Sequence, residues 1–197
     1  MSETQRHAGT PTLNLPNILT LGRMLAVPVI AFACLSLPRE SGAVLAFLVF
    51  AAASITDYLD GYLARTLDQH TELGRMLDPI ADKLLVGVVL LALVANGSIS
   101  GIHTVAAILI LGREIVVSGL REFMSGRTTA LRSTQIAKLK TAVQMIALGT
   151  LLIAPAIGTV AGLSLSGLGL AILWIATVLT VWSGFDYLRA VLKVIET

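Results

Sequence analysis

The sequence has few charged residues. Asp, Glu, Lys and Arg make up 13% of the 197 residues, whereas roughly 25% is usual in soluble globular proteins. Hydrophobic residues account for 55% of the chain, and the mean hydropathy is +0.85. This shortage of charge argues against a soluble domain and predicts an integral membrane protein.

Other features that are absent from the sequence exclude a disulfide, a histidine metal site and a signal peptide. The single cysteine, Cys34, excludes a disulfide within one chain. The three histidines are scattered without ligand spacing, so we predict no metal role for them. Residues 1–13 are polar and lack the basic start, apolar run and small-residue cleavage site of a signal peptide. We therefore expect a flexible cytosolic leader over residues 1–13, followed by one membrane domain over residues 14–197.

Apolar segments separated by polar or glycine-containing stretches predict an all-α fold with six transmembrane helices. A short N-terminal interfacial helix that starts at Leu15 is expected to precede them, because apolar and polar residues are mixed there. The apolar run over residues 43–55 is too short for a bilayer core of roughly 30 Å, so the acidic stretch that follows must complete the second span. The predicted spans cover residues 24–37, 43–65, 72–95, 102 onwards, 138–153 and 170–182. The predicted turns cover residues 38–42, 96–101 and 154–169.

Four of the acidic residues form a concentrated group around the second and third spans. Asp57 and Asp60 are three residues apart and project from one face of a helix. Asp78 and Asp82, four residues apart, do the same on the next helix. Four ionised carboxylates near a membrane would repel one another strongly without a cation. Oxygen ligands in this number suit Mg²⁺ or Mn²⁺, so we predict that these residues bind two divalent ions able to hold a pyrophosphate.

The residues around the acids favour the same interpretation. Gly61 and Ala64 would leave room for a nucleotide or phosphate to approach the backbone, and Arg65 would supply positive charge beside it. The alternative is that the acids only flank membrane helices at the water interface. That role would be costly, because the four acids have almost no local pairing with Lys or Arg.

A second cluster is basic. Arg113 and Arg121 lie slightly more than two helical turns apart, so both can face one cavity. Lys138 or Lys140 on the next helix can complete that pocket. Such a pocket could hold a phosphorylated second substrate by charge-assisted hydrogen bonds. Basic residues at a cytosolic helix end also contact anionic lipid headgroups, and the residues by themselves do not decide between these two roles.

The positions of the basic residues predict the orientation in the membrane. In a six-helix topology only Arg39 falls on one side, and all the others fall on the opposite side. By the positive-inside rule, both termini and the acidic group then face the cytoplasm. The residues on the cytoplasmic side are Arg6, Arg23, Arg65, Arg75, Lys83, Arg113, Arg121, Arg127, Arg132, Lys138, Lys140, Arg189 and Lys193.

Three motifs carry a family resemblance. The pattern Asp-x2-Asp-Gly-x2-Ala-Arg-x8-Gly-x3-Asp-x3-Asp, from Asp57 to Asp82, resembles the signature of the CDP-alcohol phosphatidyltransferases at every fixed position. The segment Pro-Asn-x-Leu-Thr-x2-Arg, which ends at Arg23, is similar to the entry segment of the same enzymes. Gly-Arg-Glu-x3-Ser-x-Leu-Arg-Glu from Gly112, followed by Lys-x-Lys-Thr from Lys138, resembles the bacterial phosphatidylglycerophosphate synthase branch of that family.

The resemblance implies an enzyme of phospholipid biosynthesis that transfers a phosphatidyl group from CDP-diacylglycerol to glycerol 3-phosphate and releases CMP. It implies a homodimer in the bacterial inner membrane, with Asp82 both as a metal ligand and as the general base. The residues implied to bind glycerol 3-phosphate are Arg113, Arg121, Lys138 and Lys140. Those implied to line the CDP-diacylglycerol pocket are Asn17, Thr20, Gly61, Ala64, Arg65 and Gly74.

Two other functions are open at this point. A cardiolipin synthase of the same family would share the acidic signature but accept phosphatidylglycerol, although a small basic pocket favours the smaller phosphorylated acceptor. A divalent-cation transporter would place acids inside the membrane. Transport would also need polar groups across the bilayer, whereas the distal halves of the second and third helices are apolar.

Overall fold

The computed structural model describes the backbone of residues 15–67, 72–124 and 135–195, and the side chains of residues 18–57, 76–77, 79–124 and 139–192. These residues form six α-helices and one small β-hairpin. The helices are α1 (Leu15–Ser36), α2 (Arg39–Leu67), α3 (Glu72–Ala95), α4 (His103–Met124), α5 (Gln135–Ile157) and α6 (Leu165–Ile195). The hairpin pairs β1 (Thr159–Val160) antiparallel with β2 (Leu163–Ser164).

Five helices, α1, α2, α4, α5 and α6, are long and apolar enough to cross a membrane, judged by length and composition over the described residues. Large apolar side chains cover the outside of the bundle, and Leu25, Ile108 and Val178 are each more than half exposed. A soluble protein rarely exposes so many large apolar side chains together, whereas a lipid-facing surface requires them. The predicted all-α membrane protein is confirmed, and the count of six spans stays a prediction.

Small and branched apolar residues form the core of the bundle. Helix α1 packs against α2 and α3, α5 packs against α2 and α6, and α4 packs against α3 and α6. Ala46 and Ala176 are fully buried and allow neighbouring helices to approach closely. Leu148 on α5 belongs to the same cluster of buried residues. A Cβ on Gly169 would lie 2.8 Å from the side chain of Leu151, so α5 and α6 are in direct contact at that glycine.

The connections between helices decide which helix ends meet. The α1–α2, α3–α4 and α5–α6 connections lie together at one end, where Leu37, Asn96 and Pro155 line a common cavity. The C-terminal ends of α2 and α4 and the N-terminal ends of α3 and α5 therefore lie at the opposite end of the bundle. The C-terminal part of α2 and the N-terminal part of α3 both lie at that end, and these two parts carry the acidic residues of the sequence pattern.

The α1–α2 connection is shorter than the predicted turn over residues 38–42. The backbone carbonyl of Pro38 accepts a hydrogen bond from the Gly42 amide at 2.8 Å, so α2 begins directly after the proline. The hydroxyl of Ser41 donates to the same carbonyl at 3.2 Å. These bonds satisfy backbone groups of the first helical turn, which explains why residues that are typical of a turn are helical here.

The α5–α6 connection is also shorter than predicted. Helix α5 continues past Pro155 to Ile157, so the predicted turn over residues 154–169 shrinks to the hairpin. Gly158 and Gly162 adopt φ angles of 74° and 80°, which side chains with a Cβ rarely tolerate. The two glycines let the chain reverse within a few residues and start α6 early.

Helix α1 is continuous from Leu15 to Ser36 and accommodates Pro28. The predicted interfacial helix and the predicted first span therefore form one helix, with no break between them in the part of the chain that the structure describes. A position of its first turns at the level of the lipid headgroups stays a prediction. The expected leader over residues 1–13 lies outside the described residues.

Candidate active site

Arg23 is the buried centre of an acidic half of the site. Its side chain is only 1% exposed, and its Nη1 lies 2.5 Å from Oδ1 of Asp57 on α2. The same nitrogen donates a hydrogen bond to Oδ1 of Asp82 on α3. An uncompensated buried guanidinium would be costly, so the two carboxylates stabilise Arg23 and are held together by it. Three helices therefore meet at one network of ion pairs.

The two carboxylates have the chemistry of a divalent-cation site. The side chains of Asp57 and Asp82 are 49% and 52% exposed, so part of each carboxylate is accessible. Because both oxygens contact one nitrogen, the carboxylates are close enough for a cation to bridge them. Among the described residues there is no group of three or more acidic, His or Cys side chains able to hold a metal. The hard oxygen donors fit Mg²⁺ or Mn²⁺, and a complete ligand set needs further oxygens.

Two of the four predicted metal ligands, Asp60 and Asp78, have side chains outside the described residues. Among the predicted residues of the nucleotide pocket, Thr20 is described and is 1% exposed. Thr20 precedes Arg23 by three residues and lies on the same face of α1, next to the acidic half of the site. The other predicted pocket residues lie outside the described side chains: Asn17, Gly61, Ala64, Arg65 and Gly74.

A basic half of the site is built by α4 and α5. Lys140 Nζ donates a hydrogen bond to Oε1 of Glu114. Nη1 of Arg113 lies 3.6 Å from the other oxygen of the same carboxylate. The side chains of Lys140, Arg113 and Glu114 are largely buried, with 6%, 13% and 18% exposure. One carboxylate thus keeps two cations from two helices in place, while Lys138 has its side chain outside the described residues.

Helix α6 also positions Arg113. Nη2 of Arg113 donates a hydrogen bond to Oγ of Ser183 at 3.1 Å. Oγ of Ser183 donates in turn to the backbone carbonyl of Thr180 at 3.1 Å. A Cβ added to Gly184 would lie 3.1 Å from Cγ of Arg113, so the glycine leaves space for the arginine stem to pass along α6. The last helix therefore contributes to the basic half, although its sequence carries no recognisable motif.

A cavity of about 290 Å³ joins the acidic and basic halves. It is lined by Pro79, Asp82, Lys83, Val86, Arg113, Glu114, Arg121, Lys140, Thr141 and Gln144. Four of these side chains are cationic and two are anionic, which leaves a net charge of +2. The volume lies just below the roughly 300–1,000 Å³ found for ligand pockets. The cavity therefore suits a small anionic molecule next to the carboxylate of Asp82.

Sequence reasoning did not assign roles at the site to Arg23, Glu114, Gln144 or Ser183. A signal existed for Arg23, because a charged residue within an apolar helix usually has a functional partner. Glu114 was also visible as an acid inside a basic cluster. Gln144 follows Lys140 by one helical turn, which is a weak signal. Nothing in the sequence links Ser183 to a residue 70 positions earlier, and the contact depends on how α6 packs on α4.

Comparisons with known proteins point to one family. A family model of CDP-alcohol phosphatidyltransferases matches residues 13–182. Several curated relatives are named CDP-diacylglycerol--glycerol-3-phosphate 3-phosphatidyltransferase. The one from Pseudomonas fluorescens is 46% identical over 181 residues, which cover 90% of each chain. The one from Rickettsia felis is 42% identical over 183 residues, which cover 91% of this chain and 96% of its own. The chain belongs to the CDP-alcohol phosphatidyltransferase family.

Proposed function

We propose that this protein transfers the phosphatidyl group of CDP-diacylglycerol to glycerol 3-phosphate, giving phosphatidylglycerophosphate and CMP. The observation that carries the proposal is the single cavity that contains the carboxylate of Asp82 together with Arg113, Arg121 and Lys140. A site that binds a phosphorylated alcohol as the acceptor substrate needs two features. These are a base that takes up the proton of the alcohol and cations that hold its phosphate. The names of the bacterial relatives support the same reaction.

The reaction exchanges one phosphorus–oxygen bond for another. The primary hydroxyl of glycerol 3-phosphate attacks the phosphorus that bears diacylglycerol, and Asp82 takes up the proton of that hydroxyl. A new bond forms between this oxygen and phosphorus, and the bond to CMP breaks so that CMP leaves as an anion. The contact with Arg23 orients the Asp82 carboxylate, and such orientation supplies much of the rate in a reaction between two bound substrates.

The residues proposed to hold Mg²⁺ or Mn²⁺ are Asp57, Asp60, Asp78 and, in part, Asp82. When bound, two such ions would offset the negative charge of the pyrophosphate and of the departing CMP. The cytidine diphosphate pocket is proposed to be lined by Asn17, Thr20, Gly61, Ala64, Arg65 and Gly74. The position of Thr20 on the same face of α1 as Arg23 supports this place for the pocket.

The charge of the cavity supports a phosphorylated acceptor. The net charge of +2 from its lining matches a phosphate monoester, which carries up to two negative charges near neutral pH. Arg113 and Lys140 are held by Glu114, and Lys138 is proposed to add a further cation. The small volume argues against phosphatidylglycerol as the acceptor, since that lipid would need a wider opening for its second diacylglycerol group.

We also propose six spans in the bacterial inner membrane, with both termini and the site on the cytosolic side. The concentration of basic residues at the end of the bundle that carries the site supports this orientation. The proposed organisation is one membrane domain over residues 14–197 after a leader, assembled as a homodimer. A site at the cytosolic interface would give access both to a lipid donor and to a water-soluble acceptor.

The test is release of CMP from CDP-diacylglycerol by the purified protein in detergent. The reaction is run with Mg²⁺ or Mn²⁺ and with glycerol 3-phosphate, phosphatidylglycerol, inositol phosphate or serine as the acceptor. We expect release that requires both the metal and glycerol 3-phosphate. Release with another acceptor would contradict the proposed substrate, and no release from folded protein with any acceptor would favour an assay of cation flux.

A further inference from the structure

Gln144 is a buried polar residue in the wall of the cavity. It lies on α5, one turn after Lys140, and only 2% of the residue is exposed. Its side-chain oxygen Oε1 has no hydrogen-bond partner within the part of the chain that the structure describes. Burying an amide oxygen without a hydrogen-bond partner costs free energy, so such an atom usually contacts a ligand or water. The cavity is the space from which that partner would come.

We propose that Oε1 of Gln144 accepts a hydrogen bond from the secondary hydroxyl of glycerol 3-phosphate and thereby selects the acceptor. The inference rests on the proposed function and deepens it. Glycerol 3-phosphate has a phosphate, a primary hydroxyl that reacts and a secondary hydroxyl that does not react. Arg113, Arg121 and Lys140 suit the phosphate, and Asp82 suits the reacting hydroxyl. The secondary hydroxyl therefore needs a hydrogen-bond acceptor of its own in the cavity.

The chemistry of the cavity assigns this hydroxyl to the amide oxygen. An amide carbonyl oxygen accepts hydrogen bonds and cannot donate to a phosphate dianion, so its natural partner is a hydroxyl. The other buried atom of the lining without a partner among the described residues is Nε of Arg113, which is a donor and suits the phosphate. The two atoms thus match the phosphate and the central hydroxyl of glycerol 3-phosphate.

The experiment compares two acceptors that differ by one hydroxyl. The value of kcat/KM is measured for glycerol 3-phosphate and for 3-hydroxypropyl phosphate, which lacks the secondary hydroxyl. The unmodified protein should prefer glycerol 3-phosphate by about 10- to 100-fold, because the analogue leaves the buried oxygen without a partner. In Gln144→Met, which keeps the side-chain length, this preference should fall to about threefold or less. The loss should come from slower turnover of glycerol 3-phosphate, with little change for the analogue.

Two further variants separate this role from a structural one. Gln144→Glu keeps an acceptor oxygen but adds negative charge near the phosphate, so kcat/KM should fall for both acceptors while the preference persists. Ser98→Ala removes a buried hydroxyl oxygen without a partner among the described residues, at the opposite end of the bundle from this cavity, and should keep both the rates and the preference. Thermal unfolding in detergent shows whether each variant is folded.

An unchanged preference in Gln144→Met would overturn the inference. An equal loss of kcat/KM for both acceptors in that variant would also overturn it, because the residue would then contact the phosphate or support the helix. If Gln144→Met does not fold, loss of the preference in Gln144→Glu contradicts the inference. Failure of the unmodified protein to use glycerol 3-phosphate would instead contradict the proposed function itself, so the two failures are distinguishable.

Discussion

The acidic and basic halves of the site are built in opposite ways. In the acidic half, one buried cation, Arg23, holds two carboxylates from α2 and α3. In the basic half, one largely buried carboxylate, Glu114, holds Arg113 and Lys140 from α4 and α5. Each half therefore keeps two like charges close together by means of one opposite charge between them.

The two halves differ in how accessible the held groups are. Asp57 and Asp82 are half exposed, whereas Arg113 and Lys140 are largely buried. Half-exposed carboxylates can bind a cation through their accessible oxygens and keep their contacts with Arg23, because water and ions reach them easily. Buried cations fixed by a shared acid keep one arrangement, which suits recognition of a single small acceptor. The comparison predicts that substitutions in the acidic half affect the rate and metal binding, while those in the basic half affect the acceptor.

Asp82→Asn should have the largest effect. Loss of the proposed proton acceptor should lower kcat by about 1,000-fold or more, because general-base catalysis contributes up to roughly 10⁴-fold. Binding of CDP-diacylglycerol, measured with labelled lipid in detergent, should change little. An equal loss of lipid binding would show that Asp82 acts mainly as a metal ligand and not as the base.

Arg23→Met should have the next largest effect. The variant keeps the volume of the side chain but removes the charge that orients Asp82, so kcat should fall by about 10- to 100-fold. Affinity for Mn²⁺, measured by electron paramagnetic resonance without substrate, should increase, because the carboxylates lose a competing positive charge. Weaker Mn²⁺ binding together with the lower rate would contradict this view and make Arg23 a purely structural residue. Arg23→Lys should recover part of the rate.

Arg121→Ala should mainly affect the acceptor. Loss of one cation from the cavity should raise KM for glycerol 3-phosphate by about tenfold and leave KM for CDP-diacylglycerol within about twofold. Arg189→Ala is a matched control, because Arg189 is an exposed arginine on α6 that lines a different groove. If Arg121→Ala changes only KM for CDP-diacylglycerol, Arg121 contacts anionic lipid headgroups, which is the other role that the sequence allowed.

The sequence predicted the parts of this comparison that depend on local periodicity. Spacings of three and four residues placed the acids in pairs on helices, and long apolar runs predicted those helices. The meeting of Asp57 with Asp82 could be expected only in outline, because it depends on contacts across three helices. Arg23 completes the acidic half only because α1 packs against both α2 and α3, which a pattern within one segment does not encode.

The basic half was less predictable for a similar physical reason. Arg113, Arg121 and Lys140 were recognisable as a cluster of charges in an apolar sequence. The packing of α6 against α4 could not be recognised from the sequence, so Ser183 and Gly184 carried no signal. The helix ends at Pro38 and Pro155 were also mispredicted, since proline and glycine suggested turns where helix continues or begins.

Gly184→Ala should have the smallest effect and tests how rigid the basic half is. The added Cβ would lie 3.1 Å from Cγ of Arg113, so the arginine has to shift by a few tenths of an ångström. We expect KM for glycerol 3-phosphate to rise by about two- to fivefold with kcat nearly unchanged, because the phosphate contact depends on the position of the guanidinium. Gly167→Ala is the control on the same helix, where the added atom meets Ser164 at 3.7 Å, an ordinary contact. Equal KM values in the two variants would show that Arg113 adapts freely, and the basic half would then be no more rigid than the acidic half.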